Sequence, residues 1–207
     1  MAVATPRWVV AVKVALWPAC LAPFVLLVLR AAEFKGMSLG ADPVQELLNV
    51  CGKTALNLLL LTLCITPIRR STGINRLISF RRLFGLFAFF YVVLHFTTYV
   101  WLDLHFAWDH VFEDIAKRPY ITVGFTGLLL LIPLAATSTN RIQRALGRNW
   151  VKLHRLIYVI AVLGVVHFWW QVKRDVSEPL LYASLLAVLL GVRVHHAWTL
   201  RRKAGSQ

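Results

Sequence analysis

Acidic residues are scarce in this sequence. Nine Asp and Glu stand against 23 Lys and Arg in 207 residues, a formal net charge of +14. Charge of either sign is sparse: only 15% of residues are charged, against roughly 25% in an ordinary globular domain. Cysteine is limited to Cys20, Cys51 and Cys64, with no C-x-x-C pair and no C-x-x-C-H signature. That argues against a disulfide scaffold and against covalent c-type haem. No G-x-G-x-x-G follows a strand-like run, so the nucleotide-binding fingerprint is missing too. What is present is apolar: 58% of the chain is hydrophobic and the mean hydropathy is +0.66. A nucleic-acid binder of this charge would be polar, with basic stripes on a hydrated face. The composition excludes that class and a disordered basic tail, and points to an integral membrane protein.

Six apolar segments recur, at about 8–29, 47–66, 83–102, 120–137, 153–171 and 179–198. Each is close to the roughly 20 residues that a spanning helix needs. Backbone groups in lipid must pair within the segment, so runs of this length are predicted to be helices. Pro18, Pro23 and Pro133 lie inside spans and predict kinks. Pro67 is read as the stop of the second span. Arg7 and Lys13 precede the first run, but Ala31-Ala32 is a poor cleavage site, so this run is read as a retained span. The linkers are short and no repeat of fixed period is visible. The expectation is one all-α transmembrane domain over residues 1–207.

The charges divide by linker. Arg7, Lys13, the five arginines from Arg69 to Arg82, the five basic residues from Arg141 to Arg155, and Arg201, Arg202 and Lys203 share alternate linkers with no acid. All nine acids occupy the other linkers, with Arg30, Lys35, Lys117, Arg118, Lys173 and Arg174. Lys53 and Arg193 fall inside spans. By the positive-inside rule the basic linkers, and with them both termini, are predicted to be cytoplasmic. Trp8, Tyr99, Trp101, Trp150, Trp169, Trp170 and Trp198 suit interfacial belts.

An ionisable residue inside a span is rare and marks function. Of seven histidines, His105 and His110 lie in an outer linker, and His195 and His196 lie at the inner end of the last span. His95, His154 and His167 remain. At about 1.5 Å per residue, His95 sits roughly 18 Å above the inner edge of its span and His167 roughly 21 Å above its own. The two share a depth. That suits axial ligation of a haem iron between helices; interhelical hydrogen bonding is the competing reading. His154 sits at the inner face, about 140° around an ideal helix from His167. One groove takes both only if the helix bends, for which Gly164 is the candidate. A structural role or a propionate contact competes with ligation there.

Several blocks then combine: Gly40-Ala41-Asp42-Pro43-Val44, Ile65-Thr66-Pro67, Arg81-Arg82-Leu83-Phe84-Gly85-Leu86 and His95-Phe96-Thr97-Thr98-Tyr99. Further along come Arg118-Pro119-Tyr120-Ile121-Thr122-Val123-Gly124, Thr137-Ser138-Thr139, and the run from Leu146 to Tyr158 that contains His154, followed by His167. Together they make the chain resemble the MsrQ (formerly YedZ) family over nearly its whole length. The resemblance implies a ferric-reductase-like bundle of six transmembrane helices in the bacterial inner membrane. It implies a b-type cytochrome subunit that relays electrons and is not itself the catalytic subunit. Electrons would come from quinone or a cytoplasmic flavin reductase and pass to a periplasmic molybdopterin-containing methionine-sulfoxide reductase that repairs oxidised proteins.

Relatives of that fold carry two stacked b haems, each between a histidine of the third span and one of the fifth. Here Arg82 stands where the inner partner of His154 belongs, and arginine has no lone pair for iron. One haem between His95 and His167 is therefore the carry-over. His154 either holds a second haem with an unusual partner or serves the first electron step in another way. The resemblance also implies FMN. Arg81 and Arg82 are candidates for a flavin phosphate or haem propionates, since arginine suits bidentate oxyanion binding; plain topology-setting charge is the alternative. A self-contained ferric-reductase-type enzyme would need a flavin and NADPH domain, which the reading does not expect after Gln207. A small transporter would show inverted repeats, and none is seen.

Overall fold

The computed structural model describes residues 6–172 and 174–204, and Lys173 lies outside them. Among the described residues the regular structure is entirely helical. Six stretches are long and apolar enough to cross a membrane: Arg7–Ala31, Pro43–Thr72, Asn75–Asp103, Pro119–Ala136, Arg148–Gln171 and Ser177–Lys203. The helices are α1 (Arg7–Ala31), α2 (Pro43–Thr72), α3 (Ile78–Thr98), α4 (Trp108–Lys117), α5 (Pro119–Ala136), α6 (Asn140–Leu146), α7 (Arg148–Leu153), α8 (Leu156–Gln171) and α9 (Ser177–Ala204). The six crossings return the chain to the end at which α1 starts. We call this the terminal end, and the other the far end.

The local sequence sets these boundaries. Asp42 caps α2 by accepting from the Gln45 backbone N–H at 3.0 Å, with Pro43 in the first turn. Glu46 accepts from the Gly40 N–H at 2.7 Å and pairs with Arg30, which ties α1 to α2. Thr139 caps α6 through the Ile142 N–H at 3.3 Å. Helix α4 lies where the sequence reading expects a linker. Its Val111 faces inward, while Trp108 and Phe112 are exposed.

Helix α2 is central. Half of its apolar window is buried, against 6% for α9 at the periphery. It packs mainly on α3, and α5 packs mainly on α8. The core where these pairs meet holds Leu56, Leu59, Leu63, Phe84, Phe87, Tyr91, Ile160 and Val165.

Two prolines create breaks that polar side chains fill. Pro67 does not stop α2, which continues to Thr72. Lacking an N–H, it leaves the Leu63 carbonyl without its helical partner. The Arg193 guanidinium, from α9, donates to that carbonyl instead. In α1, beside Pro23, the Tyr91 hydroxyl inserts into the helix. It accepts from the Phe24 N–H at 3.1 Å and donates to the Cys20 carbonyl at 2.7 Å. Those two groups are an i→i+4 pair that would otherwise bond each other.

Tyr91→Phe should therefore leave a donor and an acceptor of α1 poorly satisfied. The expected cost is about 1–3 kcal/mol, read as a lower unfolding midpoint in mixed micelles. An unchanged midpoint would show that α1 closes its own hydrogen bond.

Candidate functional site

Between α2, α3, α5 and α8 lies a cavity of about 800 Å³, within the roughly 300–1,000 Å³ of small-molecule and cofactor sites. Its apolar walls include Leu56, Ala88, Val92, Leu128 and Ile160. His95 and His167 enter it from opposite sides. Their ring centres are 6.1 Å apart and their planes meet at 86°.

Each ring is held in the same way. His95 Nδ1 lies 2.9 Å from the Leu48 carbonyl oxygen, and His167 Nδ1 lies 2.7 Å from that of Tyr120. A carbonyl only accepts, so each Nδ1 carries the proton and donates it. Each Nε2 then keeps a lone pair. In both cases the histidine lies 47 positions after its carbonyl. In both, the residue one turn after the carbonyl is a glycine, Gly52 or Gly124. A Cβ on Gly52 would lie 3.3 Å from the His95 ring, and one on Gly124 would lie 2.7 Å from His167 Nδ1. The missing side chains let the rings reach past the helix surface to its carbonyls. The same construction therefore occurs twice, on α2–α3 and on α5–α8, although the sequence showed no repeat.

The geometry suits one metal atom between two imidazoles. A metal–imidazole bond of about 2 Å, plus about 1 Å from nitrogen to ring centre on each side, spaces the centres by about 6 Å. Among the described residues no three His, Cys, Asp or Glu side chains gather as a metal site, so the two histidines stand as a pair. Helix α3 passes into a π-helical turn, Tyr99–Asp103, just beyond His95; such turns recur at functional sites.

The cavity mouth lies toward the far end and is polar. Lys53 and Arg118 are its cations, and each is paired: Lys53 with Glu178 at 2.5 Å, Arg118 with Asp114 at 2.9 Å. Tyr99 donates to Asp114 at 2.8 Å. Beyond the mouth, on α4, Lys117 hydrogen-bonds Glu113 at 2.6 Å and holds its carboxyl below the usual range. Lys53, Arg118 and the two carbonyls were missed from sequence. The signals available were the glycines at helical spacing from each future acceptor and the place of Lys53 inside a span.

The other predicted residues lie elsewhere. His154 occupies the break between α7 and α8, so the chain turns at His154–Arg155 and not at Gly164, which is inside continuous α8. Its Nε2 is 3.1 Å from Thr137 Oγ1, and its ring stacks on Trp150 with centres 4.0 Å apart. The Thr137 hydroxyl spends its proton on the Pro133 carbonyl at 2.6 Å, so His154 Nε2–H is the donor. His154 does not line the cavity, nor do Arg81 and Arg82. Arg81 is half-buried at the terminal end, within electrostatic reach of His154, Tyr158, Arg69 and Arg193. Arg82 is exposed and donates to Asn140 at 2.9 Å.

Residues 51–165 match the family model of ferric reductase like transmembrane components. The chain is 54% identical to the protein-methionine-sulfoxide reductase heme-binding subunit MsrQ of Xanthomonas campestris pv. campestris (strain 8004). That match spans 197 residues, 94% of this chain and 90% of the relative. It is 46% identical to the protein of the same description from Herminiimonas arsenicoxydans over 202 residues, 96% of this chain and 91% of the relative. The chain belongs to the MsrQ family. It is accordingly a multi-pass, ferric-reductase-like membrane protein.

Within this MsrQ-family bundle Gly124 is the tightest contact of the site. Gly124→Ala should push the His167 ring off the Tyr120 carbonyl. The imidazole ¹⁵N spectrum should then lose the hydrogen-bonded Nδ1–H signal of His167 and keep that of His95. Retention of both signals would show that α5 yields instead.

Proposed function

We propose that this chain is the haem-binding, electron-transfer subunit of a protein-methionine-sulfoxide reductase system. The observation that carries the reading is the His95–His167 pair, facing at 6.1 Å with both Nδ1 atoms tied to backbone. The donor set fits haem b: two neutral imidazoles, each presenting Nε2, in an apolar cavity. In this reading His95 and His167 would hold the iron, and Lys53 and Arg118 at the mouth would meet the group's carboxylates. Haem b supplies a one-electron centre when bound.

The protein's own part is to set that centre's environment. Leu48 and Tyr120, through their carbonyls, fix the tautomer and raise the basicity of both imidazoles. Leu56, Val92, Leu128 and Ile160 keep the surroundings of low polarity. The far end carries all nine acids and the terminal end most of the basic residues. The positive-inside rule then puts both termini in the cytoplasm of a bacterium and the cavity mouth at the periplasmic face of its inner membrane. The partner in this reading is a periplasmic molybdopterin-containing methionine-sulfoxide reductase. The donor is quinone or a cytoplasmic flavin reductase. FMN belongs to the terminal end, with Arg81 and Arg82 as candidate phosphate contacts.

His154 is assigned here to structure, because Thr137 and Trp150 already occupy it. One haem per chain follows. His95→Ala and His167→Ala should each abolish the reduced-minus-oxidised haem bands of the purified protein. The haem-to-protein ratio should be near one and should survive His154→Ala. Bands that persist without either histidine would remove the reading. A ratio near two that falls to one in His154→Ala would replace it with a two-haem arrangement.

A further inference from the structure

We infer that the terminal end of the bundle contains a binding site for a phosphate group, built by Arg69 of α2, Arg81 of α3 and Arg193 of α9. The first observation is a sorting of the arginines. Arg70, Arg82, Arg141, Arg144, Arg148 and Arg155 are exposed, as charges that only set topology should be. Arg69, Arg76, Arg81 and Arg193 are instead half-buried, and of these Arg81 lies within electrostatic reach of Arg69 and Arg193. Three guanidiniums from three helices therefore share one region.

The second observation is unmet hydrogen bonding. Among the described residues three buried side-chain polar atoms have no partner: Arg69 Nε, Ser79 Oγ and Arg193 Nε. All three belong to this end. Buried donors are almost always satisfied, and each that is not costs about 1–3 kcal/mol. Arg193 already donates to the carbonyls of Leu63 and Leu189, and its guanidinium carbon stands 5.5 Å over the Tyr158 ring. Those contacts orient the group without neutralising it. Among the described residues no carboxylate lies at this end: the ion pairs involve Glu46, Glu178, Glu113 and Asp114, all toward the far end.

Converging guanidiniums without an acid, with Nε and hydroxyl donors left open, match a tetrahedral dianion that accepts several hydrogen bonds at once. The region is half-buried within a membrane-spanning bundle, so the phosphate is expected on an amphiphile. Two sources share this chemistry, the phosphate ester of a flavin nucleotide and the headgroup of an anionic phospholipid. The flavin source rests on the proposed function and moves its phosphate contact from Arg82 to the inward-facing cluster. The lipid source does not depend on that reading.

The test uses the full-length protein in nanodiscs. FMN and riboflavin, which lacks the phosphate, are titrated by flavin fluorescence in phosphatidylcholine discs. Retention of phosphatidylglycerol against phosphatidylcholine is read by native mass spectrometry. A flavin site predicts FMN binding at least tenfold tighter than riboflavin; a lipid site predicts one retained phosphatidylglycerol. Either preference should fall about tenfold in Arg69→Gln and in Arg81→Gln, partly return in Arg81→Lys, and persist in the exposed control Arg70→Gln. No preference for either phosphate, or a preference indifferent to Arg69 and Arg81, would overturn the site. Haem bands recorded on the same samples keep the two readings separate: His95→Ala should lose haem and keep phosphate binding, and Arg69→Gln the reverse.

Discussion

The structure depends on two hydrogen bonds from histidine rings to main-chain carbonyls, His95 to Leu48 and His167 to Tyr120. Each crosses between helices, from α3 to α2 and from α8 to α5. A polar ring nitrogen buried in an apolar bundle must find a partner, and water is not offered there. Once Nδ1–H is committed to a carbonyl, three things are fixed together: the tautomer, the ring orientation and the register of the two helices. The glycine one turn beyond each acceptor is a consequence. At Gly124 any side chain would occupy space the imidazole already fills. Because the arrangement is made twice, both Nε2 atoms stay uncommitted while the ring centres stand 6.1 Å apart.

Proline placement supplies the second constraint. In lipid a carbonyl freed by proline cannot turn to solvent, so another element must answer it. Arg193 answers for Pro67, and the Tyr91 hydroxyl bridges the opening beside Pro23. These repairs bind peripheral helices to the centre. Helix α9 buries little apolar surface, yet its arginine is inserted against α2; Tyr91 of α3 performs the same service for α1. The repair by Arg193 has a further effect. It draws a permanent charge toward the bundle, where exposed arginines would otherwise stay in the headgroup layer.

Much of this was legible from the chain. Run length located six spans, because hydrocarbon thickness fixes the length of an apolar helix. The shared depth of His95 and His167 followed from counting, because helical rise is constant. Boundaries were less legible. Hydropathy falls at the edge of the hydrocarbon, whereas helical hydrogen bonding continues past it, so α2 begins at Pro43 and runs through Pro67 to Thr72. Helix α4 mixes acids with aromatics and read as a linker, though Trp108, Val111, Phe112 and Ile115 recur at helical spacing. The Leu48 and Tyr120 acceptors left only a faint trace in Gly52 and Gly124 one turn on, since every residue has a carbonyl and packing selects one. His154 was placed at the right end, but the break lies at its own position. Its angular offset from His167 described a helix that does not pass through it.

The two ends of the bundle solve opposite electrostatic problems. At the far end the cations nearest the cavity are each met by a carboxylate, Lys53 by Glu178 and Arg118 by Asp114. Such half-exposed pairs hold by modest energies and exchange partners readily. A negatively charged group entering the mouth therefore meets cations already in position, whose present partners can turn to water. At the terminal end the described residues include no carboxylate to exchange. Exposed arginines there need none, because water and lipid headgroups screen them. The inward trio of Arg69, Arg81 and Arg193 has only neutral hydrogen-bond partners among the described residues, Asn75 for Arg69 and two carbonyls for Arg193, and mutual repulsion should drive those side chains apart or outward. Their convergence persists because Arg193 is held by the carbonyls of Leu63 and Leu189, and Arg69 and Arg81 are carried by helices whose register the histidine bonds set. A net repulsive cluster maintained by scaffold contacts is a preorganised anion site: its cost is met in folding, and the anion that enters recovers it.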